Sequence, residues 1–320
     1  MIYLIYFLLL VVLINIYFRI AGRYKIVDNP VDRSSHDEPV IRGAGIIVPV
    51  GLTIWFIWSG YQYPWFYSGF MLISIISFLD DISHMMRWIR FLVQLVAVPL
   101  LMMQVGFTDV PWWVTGITLF VAIGIINAFN FMDGINGMMG IFSLLTLATL
   151  WFVNTFQVHF IDDELIYAAT LAVLVFGFYN FRTHARCFAG DVGPAAIAFI
   201  VIFLLTKLIL TTGNIFYLWF LLVFGIDTFL TIVYRLKLGE NILQPHRHHL
   251  YQLLANEAAI AQLRVSAGYS ILQMIINLSI ILAIHFGSFS TLLWISSATV
   301  LLLAIMYIYL KNKHKPSQGK

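Results

Sequence analysis

The sequence predicts an all-α integral membrane protein with about eleven transmembrane helices. Hydrophobic residues make up 61% of its 320 residues and charged residues only 10%, whereas roughly a quarter of the residues in a soluble domain are charged. Apolar runs of about 17–22 residues, enough to cross the hydrocarbon core of a bilayer as a helix, recur along the chain. Because no long hydrophilic segment remains, we expect residues 1–320 to form one polytopic domain whose functional residues lie on loops and helix ends.

The apolar segments divide the chain into eleven predicted spans. They lie near residues 2–19, 44–60, 66–80, 90–105, 111–127, 138–156, 165–180, 193–212, 215–235, 268–286 and 290–310. The first span has no basic segment before it and no small-x-small cleavage pattern, and Arg19 and Arg23 follow it directly. We therefore expect an uncleaved helix rather than a signal peptide.

Basic residues occur in alternate loops, and Lys207, inside a span, is the exception. The opposite loops carry Asp109 and the acidic run 162–164 instead. Because lysine and arginine mark cytoplasmic loops, we expect the amino terminus outside, the carboxyl terminus in the cytoplasm and an odd number of helices. The predicted cytoplasmic loops are 20–43, 80–90, 127–137, 180–193 and 236–267.

The first two cytoplasmic loops carry charged residues that can act together. Arg33, His36 and Arg42 are candidates to receive a phosphate group, although an anchor loop that obeys the positive-inside rule is the alternative. The third span ends in the adjacent carboxylates Asp80 and Asp81. Two neighbouring buried carboxylates favour a nearby cation. A solvated helix terminus is the alternative, but acids at a helix carboxyl end oppose the macrodipole.

The fifth span continues into polar residues with a spacing of three. Asn127, Asn130 and Asp133 therefore fall along one side of a helix. Two amides and a carboxylate in this arrangement can bind a sugar, a phosphate or a hydrated metal ion. A hydrogen-bond ladder between helices is the alternative interpretation.

A glycine-flanked aspartate follows the seventh span. Asn180, Arg182, His184 and Arg186 lead to the turn 190–193, in which glycines on both sides expose Asp191. The motif alone is weak. After a loop with two arginines and a histidine, it favours a metal-binding carboxylate beside an anion site.

A dense cluster of hydrogen-bond donors follows the ninth span, which itself holds Asp227 near its inner end. The cluster consists of His246, Arg247, His248 and His249. A transition-metal site is one interpretation and simple solvation another. Because the other loops offer oxygen ligands and no cysteine cluster, we favour binding of a diphosphate. Residues 250–264 are predicted to form a short amphipathic helix at the membrane interface.

Together and in this order, these segments resemble the polyprenyl-phosphate N-acetylhexosamine-1-phosphate transferase family, which includes the phospho-N-acetylmuramoyl-pentapeptide translocases. The resemblance covers roughly residues 20–255 and rests on five ordered motifs. The stretches 28–45 and 246–252 look closest to the branch that starts O-antigen units with N-acetylglucosamine or its 6-deoxy relatives.

The resemblance implies a reaction and its partners. Such enzymes transfer a sugar 1-phosphate from a UDP-N-acetylhexosamine to undecaprenyl phosphate, release UMP and require Mg²⁺, with Mn²⁺ as an alternative. It also implies a bacterial cytoplasmic membrane, with the amino terminus in the periplasm and the active site facing the cytoplasm. Contact with the lipid bilayer but not with nucleic acid is expected, and a homodimer is left open.

The residues and the resemblance together assign roles to the polar residues. The expected catalytic residues are Asp80, Asp81, Asp133, His248 and His249. The expected substrate-binding residues are Arg33, His36, Arg42, Asn127, Asn130, Asn180, Arg186, His246 and Arg247. Asp191 and Asp81 are the expected metal ligands. This chain departs from the family pattern at His84, where an acid or a lysine is frequent, and at Asn136, where a second aspartate is frequent.

Two other classes of function are compatible with a polytopic protein of this composition. A secondary transporter also buries carboxylates, but it predicts polar residues near the bilayer midplane and internal repeats. Here the polar clusters lie at helix ends on one side, and the sequence shows no repeat. A non-catalytic scaffold of glycan assembly is the second alternative, and the retained acids and histidines speak against it.

Overall fold

Eleven long helices dominate the computed structural model, which describes residues 1–30, 38–83, 85–107, 110–242, 244 and 246–314. They are α1 (Ile2–Tyr24), α2 (Ile47–Trp58), α3 (Pro64–Ser83), α4 (Arg87–Gln104), α5 (Trp112–Met132), α6 (Met138–Phe156), α7 (Asp163–Asn180), α8 (Val192–Thr212), α9 (Leu222–Lys237), α11 (Gln262–Phe286) and α12 (Phe289–Lys313). One short helix, α10 (Leu250–Gln252), lies between α9 and α11.

The helical architecture confirms an all-α integral membrane protein. Nine helices of the described ranges are long and apolar enough to cross a bilayer. The remaining two are α7, which begins with Asp163 and Glu164, and α2, which is extended by a 3₁₀ turn over Ala44–Ile46. Each predicted span overlaps one helix. That all eleven cross the membrane, in the orientation given above, stays a prediction.

Helix α8 forms the centre of the bundle. Every residue from Val192 to Leu205 is buried, because α2, α3, α5 and α6 surround this helix. A helix that is apolar on all sides is typical of such a central position. Its amino-terminal turn reaches the loops predicted to be cytoplasmic, so the residues before it are held in place by the core of the protein.

The loop between α1 and α2 forms a small sheet and contacts the loop before α8. The strands β1 (Val27–Asp28) and β2 (Val40–Ile41) pair antiparallel, and Ile41 forms a parallel bridge with Cys187. The backbone N–H groups of Ala44 and Gly45 then donate to the carbonyl oxygens of Phe188 and Ala189, both at 3.0 Å. The first loop is thereby fixed beside the turn that carries Asp191.

Several helices extend beyond the predicted spans into the segments predicted to be cytoplasmic loops. Helices α1, α3 and α5 continue to Tyr24, Ser83 and Met132, so their last turns include residues assigned to loops 20–43, 80–90 and 127–137. Helix α11 begins at Gln262, inside the predicted loop 236–267.

The prediction of one amphipathic helix over 250–264 is wrong. Helix α10 passes into a π-helical turn over Leu253–Glu257, and the chain then breaks at Ala259, whose φ of 51° is left-handed. Leu250, Tyr251 and Leu253 are buried rather than exposed at an interface.

Candidate active site

A polar cavity of about 930 Å³ opens at the end of the bundle where the predicted cytoplasmic loops meet. Side chains from the first loop, α4, α5, the loop before α8 and the loop after α9 line it. Nine of the predicted site residues face this cavity: Arg42, Asn127, Asn130, Asp133, Asn180, Asp191, His246, Arg247 and His249. Four of the five sequence motifs therefore contribute lining residues to one site, and the fifth, the acidic pair, lies directly behind it.

Asp81 holds the start of α8 in position. Its Oδ1 accepts a hydrogen bond from the backbone N–H of Asp191 at 2.7 Å, and its Oδ2 accepts one from that of Val192 at 3.2 Å. A carboxylate at a helix amino terminus satisfies N–H groups that have no partner within the helix and interacts favourably with the macrodipole. Because both oxygens are occupied in this way, Asp81 orders the turn that presents Asp191.

Two arginines connect the three carboxylates. Arg42 binds Asp81 through Nε at 2.7 Å and Asp191 through Nη2 at 2.9 Å. Arg90 Nη1 lies 2.7 Å from Asp80 and 3.3 Å from Asp191. The planar guanidinium suits such double contacts. These ion pairs explain how acids in the last turn of α3 are tolerated, since positive charge surrounds them.

The carboxyl groups that face the cavity hold protons unusually tightly. Burial, and then the neighbouring Asp81 carboxylate, raise the pKa of Asp191 to about 7. Burial also raises the pKa of Asp133 well above its ordinary value, and the Asp191 and Asp81 carboxylates add to this effect. Within the described part of the chain, Asp133 forms no ion pair or hydrogen bond through its carboxyl group. An additional cation would relieve this concentration of negative charge.

The oxygen atoms that line the cavity suit a hard divalent cation that takes some ligands from the protein and others from the substrate. Carboxylate and amide oxygens are suitable ligands for Mg²⁺, which is usually bound by one or two carboxylates together with water and phosphate oxygens. No three acidic, histidine or cysteine side chains of the described residues converge closely enough to hold a metal ion alone. Asp191 and Asp133 line the cavity and could contribute oxygen ligands, and the roles of Asp191 and Asp81 as metal ligands stay predictions.

The amides differ in what they contact. Asn127 donates to Gln94 Oε1 at 3.1 Å and to the carbonyl of Ile123, and Asn130 lines the cavity one turn further on. Asn180 is bound to backbone on both sides, since it accepts from the N–H of Gly137 at 2.8 Å and donates to the carbonyl of Cys187 at 2.9 Å. It therefore fastens two cavity loops together, and its contact with substrate stays a prediction.

The histidines of the loop after α9 point in different directions. His246 and His249 face the cavity, and their ring centroids lie 4.9 Å apart. Burial, and then the nearby cationic groups, lower the pKa of His246 to about 3, so this ring is neutral at physiological pH. His248 turns away from the cavity, and its Nε2 lies 3.1 Å from Glu240. A catalytic role for His248 has no geometric support in this arrangement.

Arg186, a predicted substrate-binding residue, is not among the residues that line the cavity. Its guanidinium lies over the rings of Phe18 and Tyr179 at 5.1 and 5.6 Å. Arg33 and His36 lie outside the described residues, as does His84.

Several lining residues were not identified as site residues from the sequence. Arg87 and Arg90 entered only as markers of orientation, and Gln94 and Gln262 were not considered. Arg90 follows Asp80 by ten positions, and this spacing gives no local signal for its contact with Asp191. Asn136 also lines the cavity, and its side chain donates to the carbonyls of Arg182 and Thr183 at 3.0 and 3.1 Å.

Comparison with known proteins relates this arrangement to a family of transferases. Residues 63–209 match the family model described as glycosyl transferase family 4. The probable undecaprenyl-phosphate N-acetylglucosaminyl 1-phosphate transferase of Bacillus subtilis is 25% identical over 257 residues, which is 74% of this chain and 71% of the relative. The undecaprenyl-phosphate alpha-N-acetylglucosaminyl 1-phosphate transferase of Escherichia coli K12 is 27% identical over 262 residues, with the same coverage.

Proposed function

We propose that this chain, whose residues 63–209 match the model of glycosyl transferase family 4, transfers N-acetylhexosamine 1-phosphate from a UDP-sugar to undecaprenyl phosphate and releases UMP. The names of the relatives favour N-acetylglucosamine as the sugar, and a 6-deoxy relative is the second candidate. The product would start a lipid-linked surface polysaccharide such as O-antigen.

The observation that carries the proposal is a single cavity that is lined by carboxylates together with cationic and polar donors. Asp133 and Asp191 lie beside Arg42 and Arg90, while His246, Arg247 and His249 supply donors from the loop after α9. Its volume, about 930 Å³, falls in the range of pockets that enclose whole ligands. A nucleotide-sugar diphosphate needs this combination of anion recognition and room.

The reaction we propose is a direct displacement at the sugar-bearing phosphorus. An oxygen of the lipid phosphate forms a new bond to the sugar-bearing phosphorus. The bond between this phosphorus and the oxygen that bridges it to UMP breaks, and UMP leaves with that oxygen and the electron pair of the broken bond. Because three phosphates approach one another, neutralisation of negative charge dominates the catalysis. Arginines of the first loop and α4, together with the donors after α9, supply it.

Bound Mg²⁺ would supply the remaining charge neutralisation on the diphosphate, and Mn²⁺ is a substitute of similar ligand preference. Asp191 and Asp133 are the residues we assign to hold it. A phosphate monoester has its second pKa near 6, so the acceptor arrives largely ionised. Strong general-base assistance is then less necessary.

A covalent intermediate on Asp133 is the alternative mechanism. Exposure to UDP-sugar in the absence of the lipid would then leave the sugar 1-phosphate bound to the aspartate through its phosphorus and release one UMP per protein. Direct displacement predicts no UMP release before undecaprenyl phosphate is added.

We place the active site on the cytoplasmic side of a bacterial cytoplasmic membrane. The cavity lies among the loops that carry the arginines, and the positive-inside rule assigns these loops to the cytoplasm. UDP-sugars are made in the cytoplasm, and the isoprenoid tail of the acceptor remains in the bilayer beside the helices.

The test is UMP release by purified protein with Mg²⁺, undecaprenyl phosphate and a panel of UDP-sugars. We expect release that needs both the lipid and the metal ion, and a loss of roughly a hundredfold or more in Asp191→Asn. Glu257→Gln, which neutralises an exposed carboxylate on the same side of the protein, is the matched control and should retain activity. No release from folded wild-type protein with any donor would contradict the proposal and favour a transporter or a scaffold.

A further inference from the structure

A buried carboxylate on α9 lies behind His249 and outside the lining of the cavity. Asp227 is only 2% exposed. Its Oδ1 lies 3.1 Å from Nδ1 of His249 and accepts the backbone N–H of Leu250 at 3.1 Å. On the other side, the phenol of Tyr269 donates to Oδ2 at 2.6 Å. These contacts surround Asp227 with donors, as an ionised carboxylate requires.

The same contacts fix the orientation of the His249 imidazole. An ionised carboxylate can only accept hydrogen bonds, so the Nδ1 that faces it carries a proton. The ring stacks on Tyr251 with a centroid distance of 5.7 Å. The second nitrogen, Nε2, is buried and has no hydrogen-bond partner among the described residues, although His249 lines the cavity. A buried polar atom without a partner indicates a ligand.

We propose that Asp227 is a positioning residue, which holds His249 so that Nε2 meets a diphosphate oxygen of the bound UDP-sugar. This inference rests on the proposed function. When Asp227 accepts from Nδ1 and a phosphate oxygen accepts from Nε2, the imidazole carries a proton on each nitrogen. The buried carboxylate then offsets the charge of the ring. Asp227, which does not line the cavity, acts on the substrate through His249 alone.

A double-mutant cycle on substrate affinity separates this role from a purely structural one. The variants are Asp227→Asn, His249→Gln and the combination of both. The measurement is the Kd for UDP-N-acetylglucosamine, by calorimetry on detergent-purified protein with Mg²⁺, beside the melting temperature. Because binding is measured at equilibrium, variants without turnover remain informative. Thr228→Val is the matched control, since this buried neighbour on α9 has a hydroxyl without a partner among the described residues.

Each single substitution should weaken binding by roughly tenfold or more, the loss typical when a carboxylate that orients a histidine is removed. The double variant should bind within about twofold of His249→Gln, and Thr228→Val should bind like the wild type. If Asp227→Asn weakens binding by the same factor in both backgrounds, or has no effect, the inference is wrong. Wild-type protein that neither binds the UDP-sugar nor releases UMP would refute the proposed function instead.

Tyr269→Phe keeps the cycle decisive if Asp227→Asn is too unstable to purify. This change removes one bond to Asp227 and touches neither His249 nor the cavity. We expect Tyr269→Phe to lower the affinity for the UDP-sugar less than Asp227→Asn does. The loss should occur in protein that retains His249 and should be absent in the His249→Gln background. A loss of equal size in both backgrounds would contradict the inference.

Discussion

Arg42 illustrates how one side chain joins distant parts of the sequence. It lies 39 positions from Asp81 and 149 positions from Asp191, and it forms an ion pair with both. The motif around Arg42 indicated a role with phosphate, because a basic residue in a loop gives no information about a carboxylate so far along the chain. In the structure, the arginine neutralises the acids and remains at the cavity wall, where it can also meet an anionic substrate.

We expect Arg42→Lys to lower kcat/KM for UMP release by at least roughly tenfold, although the charge is kept. A lysine ammonium is a point charge that cannot reproduce two directed contacts to Asp81 and Asp191. The measurement is the steady-state rate with varied UDP-sugar. Arg23→Lys, at an exposed position in the last turn of α1, is the control. Equal rates in the two variants would show that only the charge of Arg42 matters.

The identities of the polar residues were largely predictable, whereas their partners were not. Asn127, Asn130 and Asp133 share a helical side because a spacing of three requires it. Asn180 and His248 belong to motifs that indicated the site, but the structure turns the first to backbone and the second to Glu240. Such choices depend on contacts between loops from opposite ends of the chain, which local sequence does not encode.

At the scale of elements, the approach of α2 to α8 sets the position of the active-site loops. Gly45, in the 3₁₀ turn before α2, packs directly on Gly193 in the first turn of α8. A Cβ on Gly45 would lie 2.3 Å from the Gly193 Cα and 2.7 Å from the Ala189 carbonyl oxygen. Because these neighbours are backbone atoms, no side-chain movement can make room. The glycine therefore allows the contact that brings Arg42 to Asp191.

Gly45→Ala should destabilise the protein by about 1–3 kcal/mol, the usual cost of overpacking, and should lower activity as well. Thermal unfolding in detergent measures the first effect and UMP release the second. Gly225→Ala is the matched control, because a Cβ at this position in α9 meets no atom within 4 Å. If Gly45→Ala were as stable and as active as Gly225→Ala, α2 and α8 would not be held in this close contact.

The lengths of apolar runs predicted the helices well because the bilayer sets their length. The helix ends were less predictable. Helix α5 continues to Met132 because the Asn127 side chain finds partners in Gln94 and the carbonyl of Ile123 while the backbone stays helical. Between 250 and 264, the amphipathic pattern suggested one helix, but the positive φ at Ala259 allows the chain to turn and begin α11 at Gln262.

For the whole molecule, the function requires that the cavity face the compartment that contains UDP-sugars. Charge bias predicts this orientation, and the cavity lies at the end of the bundle that carries the arginine-rich loops. The chain offers a favourable background for a direct test, because its single cysteine, Cys187, is buried. Burial raises the pKa of the Cys187 thiol to about 12, and a thiol that is not ionised reacts poorly with maleimides.

Single reporter cysteines at exposed positions should therefore react from opposite sides of the membrane. Lys237→Cys lies at the end of α9, next to the cavity loops, and Ser290→Cys lies in the first turn of α12 at the other end. In right-side-out spheroplasts, a membrane-impermeant maleimide should label Ser290→Cys and not Lys237→Cys. Inside-out vesicles should give the reverse, and detergent should expose both. If Lys237→Cys is the one labelled in spheroplasts, the cavity faces the periplasm, where cytoplasmic UDP-sugars cannot reach it, and the proposed transferase reaction has no donor.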